Sequence, residues 1–124
     1  MYPIHNDDRG SFQELARSKD VEFGQLGIIE INPKHTRGGH YHTRKREWFC
    51  CIEGKCDLLL INTLNKSRKV LTLNSNRREF ELVNQHEMHW LINQNGELCK
   101  VLSITSEEFN ANNADTYTGG IDVN

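Results

Sequence analysis

Two histidines separated by one residue, His40 and His42, are the first side chains whose types and spacing suggest chemistry. Alternate side chains of an extended strand share a face, so both imidazoles project together while Tyr41 points away. Glu47 lies on the next apolar run, which folds back across that strand and can add a carboxylate oxygen. His89, at the start of a later strand, can supply a fourth ligand. The pattern predicts that four side chains meet around one ion.

Three imidazoles and one carboxylate suit a borderline divalent cation such as Zn, Fe, Mn, Ni or Cu. A single histidine on a strand is usually an ordinary core or surface residue, and a lone His-x-His pair can arise by chance. Chance explains the set of four less well, because its members lie on separate strands with matching orientation. We therefore interpret the set as a metal site, and the choice among these metals stays open.

The elements that must position these residues are a series of short strands. Runs of β-branched residues and period-two alternation predict strands, and polar or glycine-containing stretches separate them. A hairpin is predicted at residues 53–55, with Gly54 in the left-handed conformation, and another tight turn at residues 65–67. The predicted strands cover residues 10–16, 23–31, 37–42, 47–52, 56–64, 68–73, 79–83, 89–92 and 98–105.

Eight or nine short strands with a turn about every ten residues predict an all-β protein, and a double-sheet jelly-roll barrel is the natural closed form. A chain of 124 residues is expected to form a single domain. We expect the barrel to span residues 1–105. Residues 106–124, which are polar and rich in Asn, are expected to form an irregular tail that packs on the barrel or on a partner subunit. The one helical candidate, residues 11–18, is too short to stand alone.

Composition excludes several classes of function. The chain has 15 basic and 17 acidic residues, a formal net charge of −2, which argues against a general role on nucleic acids or membrane surfaces. No apolar run approaches the roughly 20 residues needed to cross a bilayer, and the N-terminus lacks a secretory signal pattern. We therefore expect a cytoplasmic protein. Its cysteines are expected to stay reduced and to pack as small apolar residues; they are Cys50, Cys51, Cys56 and Cys99.

The pattern His-x-His-x4-Glu-x6-Gly, from His40 to Gly54, followed by His89-x3-Asn93, resembles the two cupin motifs. It departs from the first motif at Lys34, where that motif opens with Gly. It departs from the second at residues 84–86, where Pro-x-Gly is usual. These positions shape turns, so the departures concern loop geometry more than the ligand set. The resemblance implies a cupin-type double-stranded β-helix.

Further stretches are similar to the C-terminal cupin domain of the CapF family of capsular polysaccharide assembling proteins. They are residues 8–14, 23–25, 36–42 with Lys45 and Glu47, and 107–117, with Ala114 where Pro is usual, so the resemblance extends over almost the whole chain. The resemblance implies a zinc-dependent epimerase that inverts carbon 3 of a 4-keto-6-deoxy UDP-N-acetyl sugar. In that family an attached dehydrogenase domain then reduces the keto group. The present sequence does not include that half, so the reductase would be a separate partner.

Inverting a carbon beside a ketone requires removal of a weakly acidic proton, stabilisation of an enolate and return of a proton from the opposite face. Arg37 and Lys45 are expected to hold the enolate oxygen or the diphosphate. Lys45 shares strand parity with Glu47, which favours an inward orientation, although an ordinary surface lysine fits nearly as well. His35 and Tyr41 are nearby candidates for the base, and the sequence favours neither.

Two other functions fit the same ligands. One is a non-catalytic binding module whose metal site holds a small carbohydrate, and the other is an iron dioxygenase. A homodimer is expected in each case, because the sheet edges and the polar tail need covering.

Overall fold

The computed structural model describes residues 1–118, which form eleven β-strands and one short 3-10 helix, Ala111–Asn113. No helix within these residues is long and apolar enough to cross a membrane. The strands are β1 (Ile4–Asp7), β2 (Gly10–Gln13), β3 (Gln25–Ile31), β4 (His35–Tyr41), β5 (Glu47–Glu53), β6 (Lys55–Asn62), β7 (Arg68–Asn74), β8 (Glu81–Val83), β9 (Glu87–Asn93), β10 (Cys99–Thr105) and β11 (Tyr117–Thr118).

Two antiparallel sheets face each other across the core. The four-stranded sheet has the order β3-β10-β5-β8, the five-stranded sheet has the order β11-β4-β9-β6-β7, and β1 and β2 form a separate hairpin. This architecture confirms the predicted all-β jelly roll. The buried apolar cluster between the sheets consists of Ile31, Phe49, Cys51, Cys56, Leu58, Leu60, Leu73, Val83, Leu91, Cys99 and Val101.

The turn at Gly54 joins the two sheets, so the predicted hairpin at residues 53–55 is wrong. Strand β5 pairs with β8 and β10, whereas β6 pairs with β7 and β9. Gly54 does adopt the predicted left-handed conformation, with φ of +73°. A Cβ there would lie 2.7 Å from the carbonyl oxygen of Leu98, so a residue without a side chain lets the chain change sheets in one step. The turn at residues 65–67 does close a hairpin, between β6 and β7.

Strand β4 contains a bulge at two glycines. Gly38 and Gly39 have φ values of +108° and +85°, which glycine adopts far more readily than other residues. The register moves from Gly38 opposite Trp90 to His40 opposite His89, so one residue of β4 has no counterpart on β9. Because of this extra residue, side chains three positions apart across the bulge lie on the same face of β4.

The sequence did not predict two of the strands, β1 and β11. Every residue of both strands is exposed, so neither has the alternation of buried and exposed residues that reveals a strand in a sequence. The helical candidate at residues 11–18 does not form, and the strand predicted for residues 10–16 ends at Gln13. Of the predicted tail, residues 119–124 lie outside the described residues.

Candidate metal centre

Four side chains converge inside the barrel. One ligand atom from each of His40, His42, Glu47 and His89 lies within 4.8 Å of those of the other three. The ring centres of His40 and His89 are 4.5 Å apart, and that of His42 lies 5.5 and 5.3 Å from them. His40 is half-buried and the other three are buried. The structure therefore brings together the four residues that the sequence singled out as ligands.

Both sheets contribute to this cluster. His40 lies near the end of β4, His42 follows that strand, and His89 comes from β9, the neighbouring strand of the five-stranded sheet. Glu47 opens β5, which belongs to the four-stranded sheet and does not fold back against β4 as the sequence suggested. Its carboxylate approaches from the opposite wall, where its Oε2 accepts a hydrogen bond of 2.9 Å from Ser103 Oγ on β10.

Backbone carbonyls fix the orientation of two of the rings. His42 Nδ1 lies 2.6 Å from the carbonyl oxygen of Asp115, and His89 Nδ1 lies 3.1 Å from that of Glu87. A carbonyl oxygen can only accept, so each ring carries its proton on Nδ1 and turns Nε2 toward the centre of the cluster. There the Nε2 atoms of His42 and His89 lie 3.0 and 3.4 Å from Glu47 Oε1.

This arrangement needs a positive species at its centre. Two neutral imidazoles would direct nitrogen lone pairs at a carboxylate oxygen, which also offers only lone pairs. The Nε2 atom of His89 is buried without a hydrogen-bond partner among the described residues. A divalent cation would satisfy all of these atoms, and a histidine whose other nitrogen donates to a backbone carbonyl is the usual form of a metal ligand. The donor set therefore fits a metal ion.

The electrostatics favour the ligating protonation states. Burial raises the pKa of Glu47, but its close contacts with His42, His89 and Ser103 outweigh burial and hold that pKa well below its usual value. Burial, aided by the neighbouring His89, lowers the pKa of His40 to about 4. Near neutral pH the cluster thus offers a carboxylate and a neutral imidazole, which are the forms that bind metals.

A small cavity adjoins the cluster. Its volume is about 100 Å³, and it is lined by Arg37, His40, Glu47 and His89 together with Gly38 and apolar side chains. Arg37 shares this wall with His40 because the bulge places them on one face of β4. Without the bulge, simple alternation would have turned Arg37 to the other side of the sheet.

Lys45 is buried in the loop that leads to Glu47. It precedes β5, is only 7% exposed, and its Nζ lies 6.0 Å from the centre of the Phe109 ring. Its positive charge is one of the influences that lower the pKa of His40, after burial and His89. Lys45 is thus a buried cation close enough to His40 to act on its charge, whereas Arg37 lines the adjoining cavity.

The two remaining candidates lie apart from the cluster. The Tyr41 ring stacks on that of Tyr117, with 5.5 Å between ring centres, in keeping with its predicted outward orientation. His35 is exposed at the opposite end of β4, pairs with Asn93, and has Nδ1 2.9 Å from the carbonyl oxygen of Pro33. The structure does not bring either side chain to the ligands.

Sequence reasoning missed two residues that support the ligands. Ser103 holds Glu47 and Asp115 holds His42, and each is remote in sequence from the residue that it supports. No spacing rule links such distant positions. The only available signal for Asp115 was its place in residues 107–117, one of the stretches that carried the family resemblance.

Comparison with known proteins identifies the family of the chain. The model of the polysaccharide biosynthesis C-terminal domain family matches residues 5–117. The UDP-2-acetamido-2,6-beta-L-arabino-hexul-4-ose reductase of Pseudomonas aeruginosa is 31% identical over 115 residues, which are 93% of this chain and 30% of the relative. The chain thus spans less than a third of that curated relative.

Solved structures share the fold. The capsular polysaccharide assembling protein CapF of Staphylococcus aureus superposes with a TM-score of 0.76 and 23% identity, over 98% of this chain and 35% of that one. The dTDP-4-dehydrorhamnose 3,5-epimerase of Bacillus anthracis, solved with TDP and PPi bound, superposes with a TM-score of 0.79 and 16% identity. The match covers 94% of this chain and 74% of that one. At these identities the likeness concerns the fold alone.

Proposed function

Since the chain belongs to the polysaccharide biosynthesis C-terminal domain family, we propose that it is a metal-dependent sugar-nucleotide epimerase or isomerase. It inverts carbon 3, beside the ketone of a 4-keto-6-deoxy nucleotide sugar, in the synthesis of capsule or another surface polysaccharide. The observation that carries the proposal is the convergence of three imidazoles and one carboxylate on a shared point beside a cavity. The epimerase fold and the reductase relative, whose name describes a UDP-linked 4-ulose, support the choice of substrate.

In this proposal His40, His42, Glu47 and His89 hold the metal, which we take to be zinc. A divalent metal supplies the positive charge that polarises the ketone and makes the neighbouring carbon more acidic. Two of the imidazoles are already turned to ligate through Nε2, so the chain needs little rearrangement to bind the ion.

Arg37 and Lys45 stabilise the negative charge that develops on the substrate, or bind its diphosphate. Of these two cations only Lys45 can exchange a proton, because a guanidinium stays protonated in proteins. His35 and Tyr41 lie away from the ligands, which makes Lys45 the stronger candidate for proton transfer. The cavity of about 100 Å³ accommodates the reacting part of the sugar, and the nucleotide lies across its rim.

The proposal includes partners. Relatives are named with both UDP and dTDP nucleotides, so either can carry the sugar. Reduction of the keto group falls to a dehydrogenase domain, on a longer chain or a separate one.

A cytoplasmic location agrees with four free cysteines. A homodimer agrees with the exposed Leu26 and Ile28 on β3, an edge strand of its sheet; light scattering that gives a monodisperse monomer would contradict it.

Solvent exchange tests the proposed reaction directly. Wild-type protein loaded with zinc is incubated in D2O with 4-keto-6-deoxy UDP and dTDP sugars, and deuterium at carbon 3 is measured by NMR. We expect exchange with the loaded protein and none after chelation. Lys45→Met should slow exchange by about 10²- to 10⁴-fold with the metal retained, whereas Lys69→Met, at an exposed position on β7, should leave the rate unchanged.

Three outcomes would contradict the proposal. Exchange at the normal rate in metal-free protein would make the ion structural. A thermal shift with UDP or dTDP sugars but no exchange would identify a non-catalytic binding module. Bound iron together with oxygen-dependent activity would identify a dioxygenase instead.

A further inference from the structure

The loop that joins the ligands of the two sheets is held by one distant residue. Residues 43–46 connect His42, which follows β4, to Glu47, at the start of β5. We propose that Asp115 is the positioning residue of the metal site, which is complete only when the segment around it is docked on this loop. The inference rests on the proposed function for the identity of the site, and on the contacts of Asp115 for everything else.

The carboxylate of Asp115 binds the backbone of three consecutive residues. Its Oδ1 accepts hydrogen bonds from Thr43 N, at 2.9 Å, and Thr43 Oγ1, at 2.8 Å. Its Oδ2 accepts from Arg44 N, at 2.7 Å, and Lys45 N, at 2.8 Å. Asp115 is only 2% exposed, so this charge is stabilised by protein donors in place of water.

The main chain of the same residue holds a predicted ligand. The carbonyl oxygen of Asp115 accepts the Nδ1 proton of His42 at 2.6 Å, which turns Nε2 toward Glu47. Asp115 therefore fixes the ring of His42 and the backbone that follows it up to Lys45. Because Glu47 comes only two residues later and from the opposite sheet, the same contacts set how closely the two walls of the site approach.

A second contact between the same segment and loop provides a matched control. The guanidinium of Arg44 binds the carboxylate of Glu107, with Nε 2.9 Å from Oε1. Their side chains are 48% and 37% exposed, so this pair is expected to contribute little. If these contacts served only to hold the segment on the loop, loss of the Asp115 contacts and loss of the Glu107 contact would have the same effect on metal binding. If Asp115 positions the ligands, its loss alone should change the site.

Three variants separate these possibilities. Asp115→Asn keeps the size of the side chain but replaces one acceptor oxygen with an NH2 group, which cannot accept from a backbone N–H. Glu107→Gln is the control on the exposed pair. Thr43→Val, which removes only the Oγ1 hydrogen bond, is the mild variant that keeps the test open if Asp115→Asn does not fold.

Metal binding by the full chain provides the readout, without any substrate. Zinc affinity is measured by chelator competition, and the visible spectrum of the Co(II)-loaded protein reports ligand geometry. We expect Asp115→Asn to lower affinity about 10- to 100-fold and to alter the Co(II) spectrum, as loss of a residue supporting a ligand does. Thr43→Val should lower affinity by about 2- to 5-fold, and Glu107→Gln should match wild type in both measurements.

Wild-type affinity and an unchanged Co(II) spectrum in Asp115→Asn would overturn the inference, as would equal losses in Asp115→Asn and Glu107→Gln. If only Thr43→Val can be purified, a wild-type affinity and spectrum in that variant would overturn it. Failure of the proposed function is distinguishable, because it would appear as wild-type protein that binds metal normally yet exchanges no deuterium into any nucleotide sugar.

Discussion

The interior of the barrel has two regions on the same strands, one lined by polar and ionisable side chains and the other by apolar side chains and thiols. Toward one end, β5 and β10 place Glu47 and Ser103 beside the imidazoles. Farther along, the same two strands place Cys51 and Cys99 in the apolar cluster, with their Sγ atoms 3.6 Å apart. We call these the ligand region and the thiol region.

The difference lies in which polar atoms find partners within the chain. In the thiol region, Asn93 is buried but donates to the carbonyl oxygens of Ile31 and Glu97 at 2.9 and 2.8 Å. The contact with Cys99, together with burial, raises the pKa of Cys51 well above its ordinary value, so this thiol stays protonated. In the ligand region, His89 Nε2 has no partner among residues 1–118. One region completes the fold within the chain, and the other holds a donor set that fits an added ion.

The largest effect should follow from removing a ligand. Loss of a residue that supports a ligand lowers metal affinity by at most about 100-fold. Glu47→Gln and His42→Ala, which remove a ligand itself, should lower metal affinity further and should abolish deuterium exchange. Elemental analysis of purified protein and the exchange assay measure both. Glu97→Gln, at an exposed carboxylate near the thiol region, is the control. Normal metal content in Glu47→Gln would show that the two regions do not differ as described.

A substitution that creates a cavity in the apolar core should lower stability without changing metal binding. Leu58, on β6, is fully buried, and Leu58→Ala should lower the free energy of unfolding by about 2 to 5 kcal/mol. Metal affinity of the folded protein should stay at the wild-type value, because no ligand contacts change. Urea unfolding with and without zinc measures both quantities, and a parallel loss of affinity would mean that the regions are coupled.

The ligand region should also make metal-free protein sensitive to acid. The pKa of His40 is lowered from 6.5 to about 4. As pH falls from 6.5 toward 4, the unfolded chain binds this proton before the folded chain does, so stability falls through that window. The melting temperature of chelated protein should therefore decrease, and His40→Gln should flatten the decrease. His5→Gln, at an exposed position on β1, should not.

Replacing a buried cysteine should have the smallest effect on stability and none on metal binding. Cys51→Ala or Cys99→Ala removes one sulfur atom from the apolar cluster and should lower the free energy of unfolding by about 1 kcal/mol. Metal content should not change, and thiol reagents should modify neither cysteine until the protein unfolds. Loss of metal from either variant would contradict the division into two regions.

The convergence of His40 with His42 was predictable because its signal is local. A His-x-His pair on a strand fixes the relative direction of both rings whatever the rest of the chain does. The all-β class was predictable for a similar reason, since turn residues recur at short intervals. The confirmed packing of the cysteines as small buried residues follows from their place in apolar runs.

Features that depend on distant parts of the chain were not predictable. The left-handed glycine at residue 54 signalled a turn but could not reveal that β6 would join the other sheet. Asp115 and His42 are 73 positions apart, and their contact depends on the complete fold. The roles assigned to the ligands and to Lys45 stay predictions until metal binding and deuterium exchange are measured.

The paired glycines of β4 have a consequence for protein engineering. Arg37 and His40 are an odd number of positions apart, which on a regular strand would place them on opposite faces. Both side chains nevertheless line one wall of the cavity. A designer who transplants the His-x-His pair into another scaffold must therefore carry Gly38 and Gly39 along with it. Deleting either would make the strand regular and send the arginine to the outside, although every residue with a chemical role would still be present.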